Sequence, residues 1–393
     1  MIPPRRAIVA GHICLDIIPD VTAIEPGVFN ANFRPGHLLE AGAATLATGG
    51  PVSNTGLSLH KLGVLVRLSA KVGDDAFGHV IERIVNSIDP QLLAGMQFDP
   101  HGTTSYTIII SPPHIDRIFL HCPGANHEFG SADVNDDQLR QADLLHFGYP
   151  PVMRRIYSDH GRELADLLCR AKTIGLTTSL DLCYPDPHSE AGQLDWVALF
   201  RSVLPYVDVF APSLEELLFM LRHSTFEELS ARGSVVDQAT PELLHDISEE
   251  LIEMGVKIVL IKLGARGAYL RTASVTAIDR LGRATPTDRG AWADRELWAP
   301  CFKVEVIGTT GSGDATIAGF LSALLREASP ADAMTMAVAV GACNVEAADA
   351  LSGVRSWEDT RRRIADGWAR LPLQIAASGW VWDSLYHLWK HEA

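Results

Sequence analysis

Cysteine is scarce in this 393-residue sequence, and its placement indicates no covalent or metal-based framework. The six cysteines are scattered and no two form a C-x-x-C pair, so we expect neither a structural zinc site nor a disulfide framework. Free thiols of this kind are typical of a cytoplasmic protein. The sequence also lacks internal repeats and low-complexity stretches, and its 47% content of hydrophobic residues allows a substantial core.

Basic residues and long apolar runs are also in short supply. Lys and Arg number 33 against 48 Asp and Glu, and the net charge of −15 argues against nucleic acid or an anionic membrane as the main partner. No uncharged apolar run reaches the length of about 20 residues that a membrane-spanning helix needs. The basic N-terminus is not followed by the cleavage pattern of a signal peptide. We therefore predict a soluble, cytoplasmic protein.

The most informative stretch of the chain covers residues 302–326, FKVEVIGTTGSGDATIAGFLSALLR. Phe302, Val304 and Val306 alternate as the residues of a half-buried strand do. The apolar residues after position 316 recur instead at the three- and four-residue spacing of one helix face. The pattern predicts a strand, a glycine-rich loop and a helix.

The glycine-rich loop has the character of an anion site. Gly308, Gly311 and Gly313 permit left-handed backbone angles, and the unpaired amides of the following helix point back toward the loop. The G-x-x-x-x-G spacing fits a phosphate loop, but Asp314 and Ala315 stand where that motif has Lys and Ser or Thr. A carboxylate beside an anion site is a candidate base for an attacking hydroxyl. On its own, however, Asp314 is also explained as a residue that stabilises the first turn of the helix.

The loop resembles a known signature at this point. Residues 309–314 are similar to the D-T-x-G-A-G-D signature of the ribokinase-like (PfkB) family of carbohydrate kinases, although its first position, normally acidic, is Gly308 here. The resemblance implies that the loop amides hold the transferring phosphoryl group and that the aspartate is the catalytic base. The residues concerned are the catalytic Asp314, Gly311, Ser312 and Gly313, and the nucleotide-binding Thr309 and Thr310.

A second glycine motif lies nearer the N-terminus. The sequence GGPVSNTGLSLHKLG at 49–63 predicts a tight turn and a helix that runs to Leu62, and VGDDAFG follows at 72–78. This region resembles the first signature of the same family, in the expected order along the chain. Asp16 follows a buried strand predicted over 7–10, where an aspartate on its own is more often a turn residue. The resemblance implies that three residues hydrogen-bond the hydroxyls of a sugar: Asp16, Gly50 and Asn54.

Two runs rich in β-branched and aromatic residues, 103–110 and 117–122, predict a hairpin with a longer loop. By resemblance these strands, together with the segment between about 13 and 46, form a small sheet that covers the sugar as a lid. The P-G-A-N sequence that follows also resembles the family. It makes Asn126 a candidate substrate ligand, although a simple turn explains it equally well.

Strand and helix patterns alternate from residue 142 onward, which is typical of a parallel sheet. The resemblance implies a single ribokinase-like domain over residues 1–393. This domain would be α/β, with three α/β/α layers, a mostly parallel central sheet and the small β-sheet lid.

The family pattern is weaker in this half of the chain. Asp181 and Glu216 match it. Cys183 and Ser213 stand where the family usually has Asn, and Lys262 stands where it usually has Thr. By resemblance Glu216 helps to order Mg²⁺ through water, while S-x-x-E is equally typical of a helix capping box. Three further residues are implied to bind the nucleotide: Gly264, Gly267 and Asn344.

Three other segments carry structural expectations. Residues 272–299 mix arginine and aspartate without periodicity and predict a solvated loop, with a place beside the nucleotide as the alternative. Residues 331–350 predict a helix of small residues that packs closely against a neighbouring element or an adenine ring. The tail after residue 379 carries tryptophans that we expect to cover an edge of the core.

Together the two signatures predict an ATP-dependent kinase that phosphorylates a hydroxyl of a sugar or related polyol, with Mg²⁺ and ATP as co-substrate. Asp314 would take the proton of the attacking hydroxyl. The sequence leaves open whether the protein forms a homodimer.

Two alternatives stay open at the level of sequence. The first is a nucleoside kinase of the same fold, in which Tyr106 or Phe119 would stack on the base. The second is a non-catalytic relative that only binds sugar or nucleotide, and the departures from the family pattern give it some weight. Retention of Asp314 and the glycine loop argues against it, because a pure binder needs no base there.

Overall fold

Strands and helices alternate over residues 5–112 and 118–392, which are described by a computed structural model. The strands are β1 Arg6–Gly11, β2 Cys14–Ile18, β3 Thr45–Gly49, β4 Leu65–Ser69, β5 Lys71–Gly73, β6 Gln97–Asp99, β7 Tyr106–Ile110, β8 Ile118–Cys122, β9 Leu144–Gly148, β10 Thr177–Leu180, β11 Val209–Phe210, β12 Ile258–Lys262, β13 Ala268–Thr272, β14 Glu296–Ala299, β15 Trp380–Asp383 and β16 Leu388–His391. The helices are α1 Pro26–Asn32, α2 Pro51–Lys61, α3 Ala76–Ile88, α4 Asp136–Arg140, α5 Arg154–Ile174, α6 Trp196–Val203, α7 Leu214–Leu221, α8 His223–Ser230, α9 Pro241–Glu253, α10 Val275–Ile278, α11 Arg289–Trp292, α12 Ser312–Leu325, α13 Pro330–Asn344 and α14 Trp357–Ala365. Across these residues no helix is both long enough and apolar enough to span a membrane.

A ten-stranded sheet forms the centre of the molecule, in the order β15-β16-β14-β13-β12-β11-β10-β9-β1-β4. The strands from β4 to β12 in this order are all parallel to their neighbours. From β13 to β15 the pairing is antiparallel. The mostly parallel sheet predicted from the sequence is therefore confirmed. Because the carboxyl ends of the parallel strands meet at one edge, that edge is where a ligand site is expected.

Both faces of the sheet are buried, which explains why its strands read as continuous apolar runs. Along β12, Ile258 and Leu260 belong to one core cluster, whereas Val259 and Ile261 belong to the other. Helices α2, α12 and α13 contribute to the first cluster, and α5, α6 and α9 contribute to the second. This arrangement confirms the predicted three-layer architecture.

A separate four-stranded sheet, in the order β3-β2-β7-β8, is built from the segments predicted to form the lid. Strands β7 and β8 pair as the predicted antiparallel hairpin. Arg117 and most of the predicted turn fall within 113–117, outside the described residues. That this sheet covers a bound substrate stays a prediction.

The strand predicted at Phe302, Val304 and Val306 is wrong. Phe302 makes only an isolated bridge with Arg370, and Val306 is 60% exposed. Phe302 is apolar for another reason than strand formation. Its ring stacks on the Trp368 ring with a centroid distance of 4.3 Å. Phe302 is thus buried by an aromatic contact and not by a strand ladder. The helix predicted after the loop is confirmed as α12.

The solvated loop predicted for 272–299 is also wrong, because this segment contains α10, α11 and the sheet strand β14. Trp292 and Trp298 are both fully buried. Charged residues obscured the strand pattern of β14 in the sequence. One of them, Glu296, is buried on this strand and pairs with Arg271 at 2.8 Å. The C-terminal tail adds β15 and β16 beside β14 and buries Trp380, which confirms the predicted cover for an edge of the core.

One buried ion cluster makes the stability of this sheet testable. The carboxylate of Asp208 is fully buried and pairs with Lys172 at 2.6 Å and Lys257 at 2.8 Å. We expect Asp208→Ala to lower the free energy of unfolding by about 3–5 kcal/mol, because two ammonium groups lose their partner. Urea denaturation measures this. Asp137→Ala, which removes an ion pair from an exposed position, should change the midpoint little. Equal effects of the two substitutions would contradict the argument.

Candidate active site

The carboxyl-end edge of the parallel strands brings together side chains that are far apart in the sequence. His12 follows β1, Tyr149 follows β9, and Asp181 follows β10. Lys262 is the last residue of β12, and Asp314 lies in the first turn of α12. This convergence is the structural basis of the site.

Asp314 is buried, with 2% of its surface exposed, and is held by three donors. The Asn54 amide donates to Oδ2 at 2.9 Å, and the Tyr149 hydroxyl donates to the same oxygen at 3.1 Å. The Thr55 hydroxyl donates to Oδ1 at 3.2 Å. Burial raises the pKa of Asp314, while these donors and the positive charge of Lys262 act to lower it. The predicted base is therefore a desolvated carboxylate in a fixed orientation.

The glycine loop adopts a left-handed angle at one of the three predicted positions. Gly311 has φ of +73° and caps α12, and a Cβ there would lie 2.5 Å from the Cβ of Ala350. Gly308 and Gly313 also permit such angles but do not have positive φ. The Ser312 amide donates to the Thr309 carbonyl at 3.3 Å. It is thus already bonded within the loop.

A buried charge cluster, formed by Lys262, Asp181, Glu216 and Asp314, lies beside the loop. The Lys262 ammonium is 3.4 Å from Oδ1 of Asp181. Burial acts to lower the pKa of Lys262, but the three surrounding carboxylates raise it. The same ammonium lies 3.6 Å from the position that a Cβ on Gly313 would take. The site therefore carries a fixed positive charge against the glycine loop.

Glu216 also takes part in the capping box that the sequence offered as one interpretation. The Ser213 amide donates to Oε2 of Glu216 at 2.7 Å, and the Glu216 amide donates to the Ser213 hydroxyl at 3.2 Å. This confirms the capping box at the start of α7. Burial raises the pKa of the Glu216 carboxyl, which belongs to the charge cluster as well. Its role toward a metal stays a prediction.

The described residues contain no group of three or more His, Cys, Asp or Glu side chains that could hold a metal ion by themselves. Mg²⁺ is nevertheless commonly held by one or two carboxylates together with water and substrate phosphates. Asp181 fits this mode, because its Oδ2 is buried and has no hydrogen-bond partner in the described part of the chain.

Asp16 lies on β2 of the small sheet, where its carboxylate accepts a hydrogen bond from the Cys14 thiol at 3.3 Å. Burial raises the pKa of Asp16 to about 6. Gly50 precedes α2 with φ of +84°, and a Cβ there would lie 2.5 Å from Nδ1 of His12. A glycine is therefore required beside the imidazole.

His12 was missed by sequence reasoning. It is buried, and neither ring nitrogen has a hydrogen-bond partner among residues 5–112 and 118–392. Burial and the neighbouring His121 and His127 lower the pKa of His12 to about 3, so the ring is neutral. Its ring centroid lies 6.3 Å from that of Tyr149.

Asn126 lies in a short helical turn, Gly124–Glu128, as one of the two interpretations of its sequence predicted. Its Oδ1 accepts from the Ile13 amide at 3.3 Å, and its Nδ2 donates to the Ile13 carbonyl at 2.8 Å. The residue is fully buried, and its side chain anchors the β1–β2 connection. Contact of Asn126 with a substrate stays a prediction. Gly267 is likewise explained by packing, because a Cβ there would overlap the Ala299 carbonyl.

The other predicted nucleotide-binding residues border the loop. The Asn344 amide donates to the Ala350 carbonyl at 2.7 Å and so holds the turn that packs against Gly311. Oδ1 of Asn344 is buried without a hydrogen-bond partner in the described residues. Gly264 is exposed just after β12. Thr309 and Thr310 precede α12. That these residues bind a nucleotide stays a prediction.

For three residues of this site the sequence carries only a weak signal of their position: Tyr149, Thr55 and Lys262. Tyr149 directly follows a predicted strand, which is the signal that singled out Asp16. Thr55 is adjacent to Asn54 but reaches Asp314 only because α2 packs against α12. Lys262 was recognised as a departure from the family pattern, whereas its ion pairs follow from the strand order.

This chain is similar to known proteins in sequence and in fold. The sequence matches the model of the pfkB family carbohydrate kinases over residues 5–356. A fructokinase-2 of Oryza sativa subsp. japonica is 22% identical over 329 residues, which cover 81% of this chain and 79% of the relative. The structure of Arabidopsis thaliana ribokinase complexed with ribose and ATP matches with a TM-score of 0.68 and 17% identity over 91% of this chain and 98% of its own. A nucleoside kinase of Methanocaldococcus jannaschii, an archaeal member of the ribokinase family, matches with a TM-score of 0.61 and 17% identity. The match covers 92% of this chain and 98% of the kinase chain.

The sheet, its two helical layers and the site at the strand ends define an α/β protein of ribokinase-like fold. The family match covers most of the sequence, and the chain belongs to the pfkB family of carbohydrate kinases. Both the predicted family and the predicted carbohydrate kinase class are confirmed.

The raised pKa of Asp16 gives a stability prediction that does not depend on any ligand. With pKa values of 3.8 in the unfolded chain and about 6 in the folded protein, ionisation of Asp16 destabilises the fold above this window. We expect Asp16→Asn to raise the free energy of unfolding at pH 8, by at most about 3 kcal/mol, and much less at pH 4. Urea denaturation at both pH values measures the difference.

Asp246→Asn, at an exposed position on α9, serves as the control and should show no such pH dependence. A gain for Asp16→Asn that is equal at pH 4 and pH 8 would contradict the assignment of burial as the cause.

Proposed function

We propose that this protein transfers the γ-phosphoryl group of ATP to a hydroxyl of a sugar or related polyol, with Asp314 as the catalytic base. The observation that carries the proposal is the buried Asp314 carboxylate, which lies in the first turn of α12 directly behind the glycine loop. The rice relative named fructokinase and the structural neighbour bound to ribose and ATP support the same activity.

The buried carboxylate has the properties that a general base needs. Its pKa is raised by burial, which makes it a stronger proton acceptor than an exposed aspartate. In the proposed reaction Asp314 takes the proton of the acceptor hydroxyl while the hydroxyl oxygen bonds to the γ-phosphorus. The bond from that phosphorus to the bridging oxygen breaks, and ADP leaves with the electron pair.

The charge that develops on the phosphoryl group would meet positive groups of this chain. The amides of Gly311 and Gly313 belong to the loop at the start of α12, where the helix dipole favours an anion. The Lys262 ammonium, beside Gly313, adds a full positive charge in a largely buried position. Preorganised charges of this kind stabilise the transition state without further rearrangement.

On the acceptor side, Asp16, Gly50 and Asn54 would bind the sugar. The Asp16 carboxylate can accept hydrogen bonds from hydroxyls when it is ionised, and Gly50 has no side chain that would block its backbone amide. The Asn54 amide group is bonded to Asp314, so its Oδ1 is the atom offered to the substrate. For the nucleoside alternative, the Tyr106 ring makes an edge contact with the Phe77 ring at 5.5 Å, whereas Phe119 on β8 is 53% exposed. Stacking of either ring on a base stays a prediction.

The nucleotide would lie on the other side of the loop, with Thr309, Thr310, Gly264 and Asn344 as its neighbours. Mg²⁺, when bound, neutralises part of the charge of the nucleotide phosphates. Oδ2 of Asp181 and, through water, the carboxylate of Glu216 are the groups that would hold it.

Replacement of the base tests the proposed function. We expect the wild-type protein with ATP and Mg²⁺ to phosphorylate at least one member of a panel of fructose, ribose and other sugars. Asp314→Asn should lower kcat by about 100-fold to 10,000-fold while ATP affinity stays nearly unchanged, because a base acts mainly on the transition state. A coupled assay for ADP and isothermal titration with ATP measure the two quantities.

Asp332→Asn is the matched control, because Asp332 also lies in the first turn of a helix, α13, and away from the loop. It should leave kcat unchanged. If Asp314→Asn keeps more than about a tenth of the wild-type rate, a base contribution of the expected size is absent and the assignment fails.

The replacement of an acidic residue by Gly308 predicts a weak response to potassium. By resemblance the acidic position belongs to a monovalent cation site, and a cation requires oxygen ligands that offset its lost hydration. The two nearby carboxylates that could substitute are engaged elsewhere. Glu346 pairs with Arg363 at 2.6 Å, and Asp349 accepts from the backbone of residues 351 and 352.

Initial rates at fixed Mg²⁺ and ionic strength, with potassium exchanged for tetramethylammonium, measure this response. We expect the two rates to agree within a few fold. Activation by potassium above about tenfold, equivalent to about 1.4 kcal/mol of transition-state stabilisation, would show that a cation site is retained.

A further inference from the structure

Tyr149 has an unusual backbone conformation for an aromatic residue. It follows β9 with φ of +61° and ψ of +48°, in the left-handed region that side chains of its size rarely adopt. Pro150 follows it directly and begins a short helical turn. Strain of this kind persists only where the surroundings hold the residue in place, and it is concentrated at functional sites.

The strained backbone directs the Tyr149 side chain onto the buried carboxylate. Its hydroxyl donates to Oδ2 of Asp314 at 3.1 Å, and Asn54 donates to the same oxygen at 2.9 Å. Oδ1 receives one hydrogen bond, from Thr55 at 3.2 Å. Since each carboxylate oxygen offers about two lone-pair positions, Oδ2 is saturated and Oδ1 keeps one position open.

We propose that Tyr149 is a positioning residue that locks the Asp314 carboxylate and so makes Oδ1 the atom that accepts the proton of the acceptor hydroxyl. The inference rests on the proposed function, because it assigns the geometry of the same base. The proton passes to Oδ1, the hydroxyl oxygen bonds to phosphorus, and ADP leaves with the electron pair. Tyr149 keeps its own proton throughout, because burial and the Asp314 charge raise its pKa well above the usual range.

The hydrogen bond from the Tyr149 hydroxyl should affect how kcat depends on pH. The Tyr149 hydrogen bond lowers the pKa of Asp314, so its loss should raise that pKa. A base with a higher pKa becomes ionised only at higher pH, so the acid limb of the rate profile should move upward. The other titratable groups that act on Asp314 or Tyr149 are Lys262 from β12, Asp181 and Cys183 after β10, and Glu216 from α7. None of these is changed by a substitution at Tyr149.

Tyr149→Phe tests the proposal, because it removes only the hydroxyl and keeps both the ring and the backbone strain. We expect kcat to fall about tenfold, with a KM for the sugar within about threefold of wild type. The acid limb of kcat against pH should shift to higher pH. The shift is the decisive readout, because a merely structural role would lower Tm without moving the limb.

Tyr269→Phe is the matched control. Tyr269 lies on β13, and its hydroxyl is also buried. This hydroxyl donates to a carboxylate oxygen, Oε1 of Glu296, at 2.6 Å. Its loss should leave kcat and the pH profile unchanged, whatever happens to Tm. A change in the profile of this control equal to that of Tyr149→Phe would overturn the proposal.

The double variant Asp314→Asn with Tyr149→Phe separates the possible failures. If Tyr149 acts through Asp314, adding Tyr149→Phe to Asp314→Asn should lower kcat by less than about twofold. If Asp314→Asn alone remains active, the proposed function itself is wrong. If Asp314→Asn is inactive while Tyr149→Phe keeps kcat within twofold and an unshifted acid limb, only the role of Tyr149 is wrong.

Discussion

The ammonium group of Lys262 is the charge on which the arrangement of the active site depends. Three carboxylates, those of Asp181, Glu216 and Asp314, lie around it in a buried region, and each raises its pKa. Burying several carboxylates together is costly unless a positive charge compensates them, because the interior solvates ions poorly. Lys262 supplies that charge at the end of β12. It therefore allows the proposed base Asp314, the Asp181 carboxylate and the helix-capping Glu216 to lie together at one edge of the sheet.

The parallel sheet is the reason that these groups meet. β1, β9, β10 and β12 all end at the same edge, so the residues that follow them converge although they are separated by more than 100 residues in places. The start of α12 is delivered to the same edge and packs against α2, which brings Asn54 and Thr55 onto Asp314. The helix that carries Asn54, proposed to bind the acceptor, thus shares hydrogen bonds with the proposed base. This sharing couples the orientation of the base to the helix that would hold the sugar.

Much of the fold could be predicted because it depends on local periodicity. The apolar runs at β1, β9 and β12 and the helical spacing of α12 are strong signals, and all were confirmed. The failures have specific causes. Phe302 imitates a strand because a tryptophan ring buries it, and the segment from 272 to 299 conceals β14 because its charged residues form ion pairs on a buried surface. Among the site residues, Asp314 was marked by its motif, whereas the bonds of Asn126 to Ile13 could not be predicted because they link positions 113 residues apart.

The sequence by itself determined the class of fold, the family and the identity of the proposed base, since each depends on residues adjacent along the chain. Glycines, an aspartate and a helical repeat carry that information locally. Only the tertiary structure decided what surrounds the base. Whether Asp314 is buried, which oxygen Tyr149 and Asn54 occupy, and where the Lys262 charge lies all follow from strand order and helix packing. These contacts join residues 52 to 260 positions apart, and local patterns do not encode such pairings.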